Sequence, residues 1–96
     1  MILVDQPIWP AHGRRFAHLI SDTSRDELHA FAADLGLPER AFHRDHYDIP
    51  AEWCDRAVEL GAQAVDAREL VRRLKAAGLR DRAADRPGDV DPERPV

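Results

Sequence analysis

The residues of this 96-residue chain best suited to chemistry are histidines and aspartates that lie close to apolar segments. Imidazole and carboxylate ligands together suit zinc, manganese or iron, and such a metal polarises a phosphoryl or carbonyl oxygen or activates a water. Ligands collect at the carboxyl ends of strands in α/β sheets, so aspartates placed there are expected at one edge. The sequence therefore predicts a divalent metal site built from Asp5, His18, Asp22, His46 and Asp48.

A site without a metal is a second interpretation of the same residues. His46 is then a general base oriented by Asp48 or Asp45, and Asp5 and His18 complete the catalytic set. The residues predicted to bind substrate are Trp9, Arg14, Arg15, His29 and Tyr47. The two arginines are predicted to form a small basic loop that can meet an anionic group, which favours a phosphorylated small molecule or a nucleotide as the ligand.

No motif of established spacing decides between these interpretations. The chain has no Gly-x-Ser-x-Gly elbow, no Walker loop, no Cys-x-x-Cys pair and no His-Glu-x-x-His sequence. The polar residues also fit structural roles, with His18 as an edge or core histidine, Asp22 near a helix N-terminus and Asp48 as a cap. The alternative prediction is therefore a non-enzymatic interaction or oligomerisation module in which these histidines and aspartates stabilise the fold.

Two short strands and a helix are predicted for the first part of the chain. Residues 1–4 are apolar and include β-branched side chains, which indicates a buried strand that ends at an aspartate. Residues 6–15 contain two prolines and a glycine and are predicted to form a loop, followed by a strand over residues 16–21. Ser24 begins a capping-box pattern, so a helix is expected from there to Gly36.

The second part of the chain is predicted to add one or two short strands and two helices. Residues 42–44 are expected to be extended, and residues 46–48 to form a turn. A helix should begin near Pro50, because proline suits the first helical turn. Residues 62–65 are long enough for another short strand, and Asp66 is placed to cap a third helix.

These elements predict a small single-domain α/β protein. The expected sheet has three to four short strands, at least partly parallel, and is covered by about three helices over residues 1–79. Residues 80–96 are rich in charge and proline and hold few large apolar side chains. Such a segment buries too little surface to offset its ordering entropy, so it is predicted to be a disordered tail.

Composition limits the partners and the compartment. The formal net charge of −4 offers no overall attraction to phosphate backbones, which disfavours nucleic acid as a partner. No apolar run approaches the roughly 20 residues that span a bilayer. The single cysteine, Cys54, cannot form an internal disulfide, and we expect a cytoplasmic protein. A domain of this size buries only a modest share of its surface, so a homo-oligomer is a further expectation.

Several sequence blocks occur together in this chain. They are His18-Leu19-Ile20-Ser21-Asp22, Glu27-Leu28-His29-Ala30-Phe31-Ala32, Leu35-Gly36, His46-Tyr47-Asp48-Ile49 and Gly61-Ala62. In this order and spacing they resemble the uncharacterised family known as domain of unknown function 4031, short proteins from bacteria and their phages. The resemblance covers about residues 1–74 and implies no activity. It implies that the family motif positions are Asp5, His18, Asp22, Glu27, His29, His46, Tyr47 and Asp48.

Overall fold

The computed structural model describes residues 1–11 and 13–81. The strands in this part are β1 (Ile2–Val4), β2 (Trp9–Ala11), β3 (Arg14–Ser21), β4 (Phe42–His43), β5 (His46–Pro50) and β6 (Gln63–Ala64). The helices are α1 (Arg25–Leu35), α2 (Cys54–Glu59) and α3 (Ala67–Ala76), with single 3₁₀ turns at Glu39–Ala41 and Ala51–Trp53. The fold is thus the small α/β domain that the sequence predicts.

One mixed sheet contains all of these strands. Its order is β4-β5-β3-β1-β6, and β2 pairs with the first half of β3. The pairing of β1 with β6 is parallel, and the other strand pairs are antiparallel. The expectation of a partly parallel sheet is confirmed. The expected three to four strands were too few, because six strands form among the described residues.

Two of the local predictions were wrong for reasons that the sheet explains. Residues 6–15, predicted as a loop, contain β2, in which Pro10 is tolerated because β2 is an edge strand paired only with β3. Residues 46–48, predicted as a turn, lie in β5, where Tyr47 and Ile49 alternate inward. The turn instead lies at Arg44 and Asp45, directly before the predicted residues, and joins β4 to β5 as a two-residue hairpin.

Helices cover both faces of the sheet. On one face, α1 and α2 contribute Leu28, Ala32 and Ala57 to a core with Leu19 and Ile49. On the other face, α3 packs Leu70 and Leu74 against Leu3 and Ile20. Side chains alternate between the two faces along each strand. Every residue of β1, β3 and β5 is thereby assigned to the α1–α2 face or to the α3 face.

The predicted caps form with one difference. The Ser24 hydroxyl accepts the Glu27 backbone N–H at 3.0 Å, and Asp66 accepts the Glu69 N–H at 2.7 Å. Gly36 ends α1 in the left-handed conformation, with φ of 96°. The Glu27 carboxylate does not complete the capping box, because it accepts the hydroxyl of Ser21 at 2.6 Å instead.

The first residues of the predicted tail contact the rest of the domain. Arg80 and Asp81 fall within the tail predicted for residues 80–96, yet both contact Asp45: the backbone N–H of Asp81 donates to Asp45 Oδ2 at 2.8 Å, and Arg80 Nη1 lies 3.6 Å from the same oxygen. Residues 82–96 lie outside the described part, as does His12. Within the described residues, no helix is long and apolar enough to cross a membrane.

Asp22 lies at the opposite end of the sheet from Asp5. Since β1 and β3 are antiparallel, the end of β3 lies beside the start of β1, and the Asp22 backbone N–H donates to the Met1 carbonyl at 3.1 Å. Arg73 of α3 donates to the Asp22 carboxylate at 2.8 Å. This hydrogen bond, with a second from the Met1 amino group, lowers the pKa of Asp22 to about 2.

The Asp22–Arg73 pair is expected to make a pH-dependent contribution to stability. Because the pKa of Asp22 is lowered from 3.8 to about 2, its stabilisation is present above pH 3.8 and is lost as the pH falls through about 2. Asp22→Asn should lower the unfolding free energy at pH 7 by about 1–2 kcal/mol and flatten its fall between about pH 4 and pH 2. Urea unfolding across this range measures both effects. The control is Asp34→Asn, on the exposed side of α1. Equal changes of the unfolding free energy in the two variants would contradict the role given to the Asp22–Arg73 pair.

Candidate metal centre

Three predicted site residues form one row across three strands. Asp5 follows β1, and its backbone N–H donates to the His18 carbonyl at 3.1 Å, which places the two residues side by side. His18 of β3 is in turn the cross-strand partner of Asp48 in β5. All three point to the α3 face, beyond the core residues Leu3 and Ile20.

His46 completes the cluster from β5, two residues before Asp48 and therefore on the same face. His18, His46 and Asp48 each offer a ligand atom, and these atoms lie within 4.8 Å of one another. The two imidazole rings meet edge to face with centroids 4.9 Å apart. The three side chains are 14%, 12% and 14% exposed, so the cluster is largely buried.

Asp5 orients the His18 ring. Its carboxylate lies 2.7 Å from His18 Nδ1 and accepts the His18 backbone N–H at 2.6 Å. It also accepts the indole N–H of Trp9 at 3.3 Å, while the Trp9 ring packs against the His18 ring with centroids 5.2 Å apart. Since a carboxylate only accepts hydrogen bonds, the proton of a neutral His18 sits on Nδ1, and Nε2 is left as the ligand atom.

Asp45 plays the same part for His46. Its Oδ1 lies 2.8 Å from His46 Nδ1, and its Oδ2 accepts the Asp81 backbone N–H. Burial alone would raise the pKa of Asp45, but the hydrogen bonds from His46 and from the Asp81 N–H outweigh it, so the pKa of Asp45 is lowered. Asp45 is therefore a buried, ionised acceptor that favours a proton on His46 Nδ1.

His46 lies between two carboxylates. Beside the contact of its Nδ1 with Asp45, its Nε2 is 3.2 Å from the buried Oδ1 of Asp48. Burial would lower the pKa of His46, but the interactions with Asp45 and Asp48 outweigh it, and the pKa is raised. A cation at this position, whether a proton on the imidazole or a metal at Nε2, is favoured by the same two negative charges.

The hairpin turn that supplies Asp45 is itself unusual. Arg44 has a φ of 61°, a left-handed conformation that non-glycine residues adopt at a cost. Its Nε donates to His43 Nε2 at 3.2 Å, and the His43 ring faces His46 with centroids 6.0 Å apart. The turn therefore brings a guanidinium group and a third histidine to the rim of the cluster.

The structure divides the other predicted site residues among different places. Tyr47 and His29 are hydrogen-bonded to each other, with 2.7 Å between the phenol oxygen and Nδ1, but Tyr47 points to the α1–α2 face, opposite the cluster. Burial, with Glu39 nearby, raises the pKa of Tyr47. Arg14 forms an ion pair with Glu52. Arg14 and Arg15 are consecutive residues of β3 and face opposite sides, so they do not form the predicted basic loop.

The sequence did not predict the roles of four residues at the cluster, or predicted them only in part. Asp45 appeared only as an alternative partner for His46, and His43 was not selected, although the pairing of His43 with His46 follows from the two-residue turn. Arg80 and Asp81 carried no signal, because their contact with Asp45 spans more than thirty residues of chain.

The family called protein of unknown function DUF4031 matches residues 2–77. The chain belongs to this family. The match confirms the resemblance seen in the sequence blocks, and it includes Asp5, His18, Asp45, His46 and Asp48 but not Arg80 or Asp81. No curated protein and no solved structure shows significant similarity to the chain.

The Asp5 carboxylate is expected to be important for stability. Asp5→Ala leaves the Trp9 indole N–H and the His18 ring and backbone N–H groups without their acceptor in a largely buried place. We expect the unfolding free energy to fall by about 3 kcal/mol, since each buried donor that loses its partner costs about 1–3 kcal/mol. Urea unfolding at pH 7 measures the loss, with Asp34→Ala as the exposed control. A loss below about 1 kcal/mol would show that these hydrogen bonds contribute little.

Proposed function

We propose that this protein is a metal-dependent hydrolase whose centre is held by His18, His46 and Asp48. The observation that carries the proposal is the convergence of these two imidazoles and one carboxylate within 4.8 Å. Two histidines and one carboxylate on one face of a metal are a ligand set known for iron and for catalytic zinc. Zinc, manganese and iron are the candidates.

The surroundings of the two histidines support this proposal. In metal sites, the imidazole nitrogen that does not bind the metal donates to a carboxylate or carbonyl, which fixes the tautomer and the ring orientation. Asp5 and Asp45 occupy these positions at 2.7 Å and 2.8 Å from the Nδ1 atoms. Both histidines are thus oriented to bind through Nε2 before any metal arrives.

The charge of the site supports a divalent cation. The carboxylates of Asp5, Asp45 and Asp48 lie around two imidazoles, and among the described residues the cation Arg80 lies 3.6 Å from Asp45. A divalent ion at Nε2 of both histidines would offset this negative charge. Three protein ligands leave coordination positions for water and substrate, which is the pattern of catalytic rather than structural sites.

When bound, such a metal supplies a water of lowered pKa and polarises the oxygen of the scissile group. The chain's own residues hold the ligands in place and admit the substrate at the rim. The substrate we propose is a phosphorylated small molecule or nucleotide, because the Arg44 guanidinium is held beside His43 at the edge of the cluster. A planar guanidinium suits paired contacts to phosphate oxygens.

A second candidate function has its own support. The Asp5 carboxylate already accepts three hydrogen bonds within the chain, and the buried Asp45 links His46 to the segment after α3. Such networks also occur for stability alone. In that case the protein is an interaction module, and its histidines and aspartates maintain the fold without binding a metal.

Metal titration of the chelator-treated protein distinguishes the two functions. Calorimetry with Zn²⁺ and Mn²⁺ should show one ion bound per chain, and His46→Ala should weaken its affinity by at least about 100-fold, because it removes a ligand. His29→Ala is the matched control, a histidine on the opposite face whose loss should leave metal affinity unchanged.

The outcome that supports the interaction module is equally defined. It would show no metal binding by the parent protein and a loss of melting temperature in His46→Ala. If the metal binds, hydrolysis of a chromogenic phosphomonoester should depend on added metal and fall with His46→Ala. Arg44→Ala should mainly raise KM, because Arg44 is assigned to substrate binding rather than to metal ligation.

A further inference from the structure

A short segment that follows α3 contacts the candidate centre at the carboxylate of Asp45. Asp45 has a side chain only 1% exposed, and its two oxygens have different partners. Oδ1 contacts His46 Nδ1 at 2.8 Å. Oδ2 accepts the Asp81 backbone N–H at 2.8 Å and lies 3.6 Å from Arg80 Nη1. The carboxylate therefore joins residues after α3 to a ligand candidate in β5.

This connection is long in sequence and short in space. Asp81 is 36 positions from Asp45, yet the path from the Asp81 N–H to the His46 ring passes through one carboxylate. Both Arg80 and Asp81 also lie beyond residues 2–77, the part that matches the family. The connection therefore joins two residues outside the matched part to Asp45 and His46 within it.

We propose that Arg80 and Asp81 are positioning residues that set the metal affinity of the centre by fixing Asp45 and, through it, His46. The proposal rests on the proposed function, because it assigns these two residues to the same centre. Asp81 acts through its backbone N–H, and Arg80 acts through its positive charge.

The physical step is the orientation of one carboxylate. Rotation about the bond to a carboxylate is soft, so an aspartate with one hydrogen-bond partner samples a range of orientations. With Oδ2 held by the Asp81 N–H and Arg80, Oδ1 stays directed at His46 Nδ1. The His46 proton is then kept on Nδ1 and Nε2 is kept as the ligand atom. Loss of the carboxylate behind a histidine ligand typically weakens metal binding 10- to 100-fold, and we expect about a tenfold weakening when that carboxylate loses the Asp81 N–H.

The backbone donor is tested with a pair of substitutions at one position. Asp81→Pro removes the N–H, whereas Asp81→Ala removes the same side chain and keeps the N–H. Relative to Asp81→Ala, we expect Asp81→Pro to weaken Zn²⁺ binding by about tenfold or more and to alter the visible spectrum of bound Co²⁺. Equal Zn²⁺ affinities and equal Co²⁺ spectra in the two variants would overturn the proposal.

The charge of Arg80 is tested separately. Arg80→Ala should weaken Zn²⁺ binding, and Arg80→Lys should restore part of the affinity, because it returns a positive charge near Asp45 Oδ2. Arg72→Ala is the matched control, because Arg72 is an exposed arginine of α3 that pairs with Glu69. Weakening by Arg72→Ala as large as that by Arg80→Ala would contradict a specific role for Arg80.

A readout without metal separates this proposal from the proposed function. In the metal-free protein, ¹⁵N NMR of the imidazole reports the hydrogen bond at His46 Nδ1 and how fast the Nδ1 proton exchanges with water. The Nδ1 proton should exchange slowly in the parent and in Asp81→Ala, and faster in Asp81→Pro. If no variant binds metal, the proposed function fails, and the NMR comparison still decides whether the segment positions His46.

Discussion

The pairing of three antiparallel strands is the constraint on which the rest of the structure depends. The β1–β3–β5 register places Asp5, His18 and Asp48 side by side on one face. The alternate residues of the same strands build the core beneath α1 and α2. One set of backbone hydrogen bonds therefore fixes both the packing that stabilises the domain and the distances within the polar cluster. A chain with the same side chains in another register would have neither.

Much of the fold was predictable because its signals are local. Ser24, Gly36 and Asp66 mark the limits of α1 and α3 through contacts within a few residues. The number of strands was underestimated because β2 was predicted as part of a loop and β5 as a turn, whereas both are strands through their pairing with β3. Their existence depends on the sheet rather than on their own sequence.

The same distinction between local signals and strand pairing applies to the polar cluster. Residue type and position were enough to select Asp5, His18, His46 and Asp48, but the expected reason, a shared edge at the carboxyl ends of strands, does not apply. Antiparallel pairing brings these four together and sends Asp22 to the far end, to Arg73. Alternation in β5 also separates Tyr47 from His46, its neighbour in sequence. Both outcomes depend on the pairing register of strands that are distant in sequence. Residue types and local patterns in one sequence do not reveal that register.

Because side chains alternate between the two faces along β3, the polar cluster disfavours wrong pairing registers of this strand. A shift of β3 by one residue against its neighbours would turn His18 toward α1 and α2 and place Leu19 among the polar side chains of the cluster. An imidazole with no carboxylate partner would then be buried among apolar side chains, and that penalty adds to the loss of packing. Misaligned pairings of this sheet are thus raised in energy by polar residues as well as by apolar ones. A polar centre on one face of the sheet therefore also favours a single strand alignment during folding.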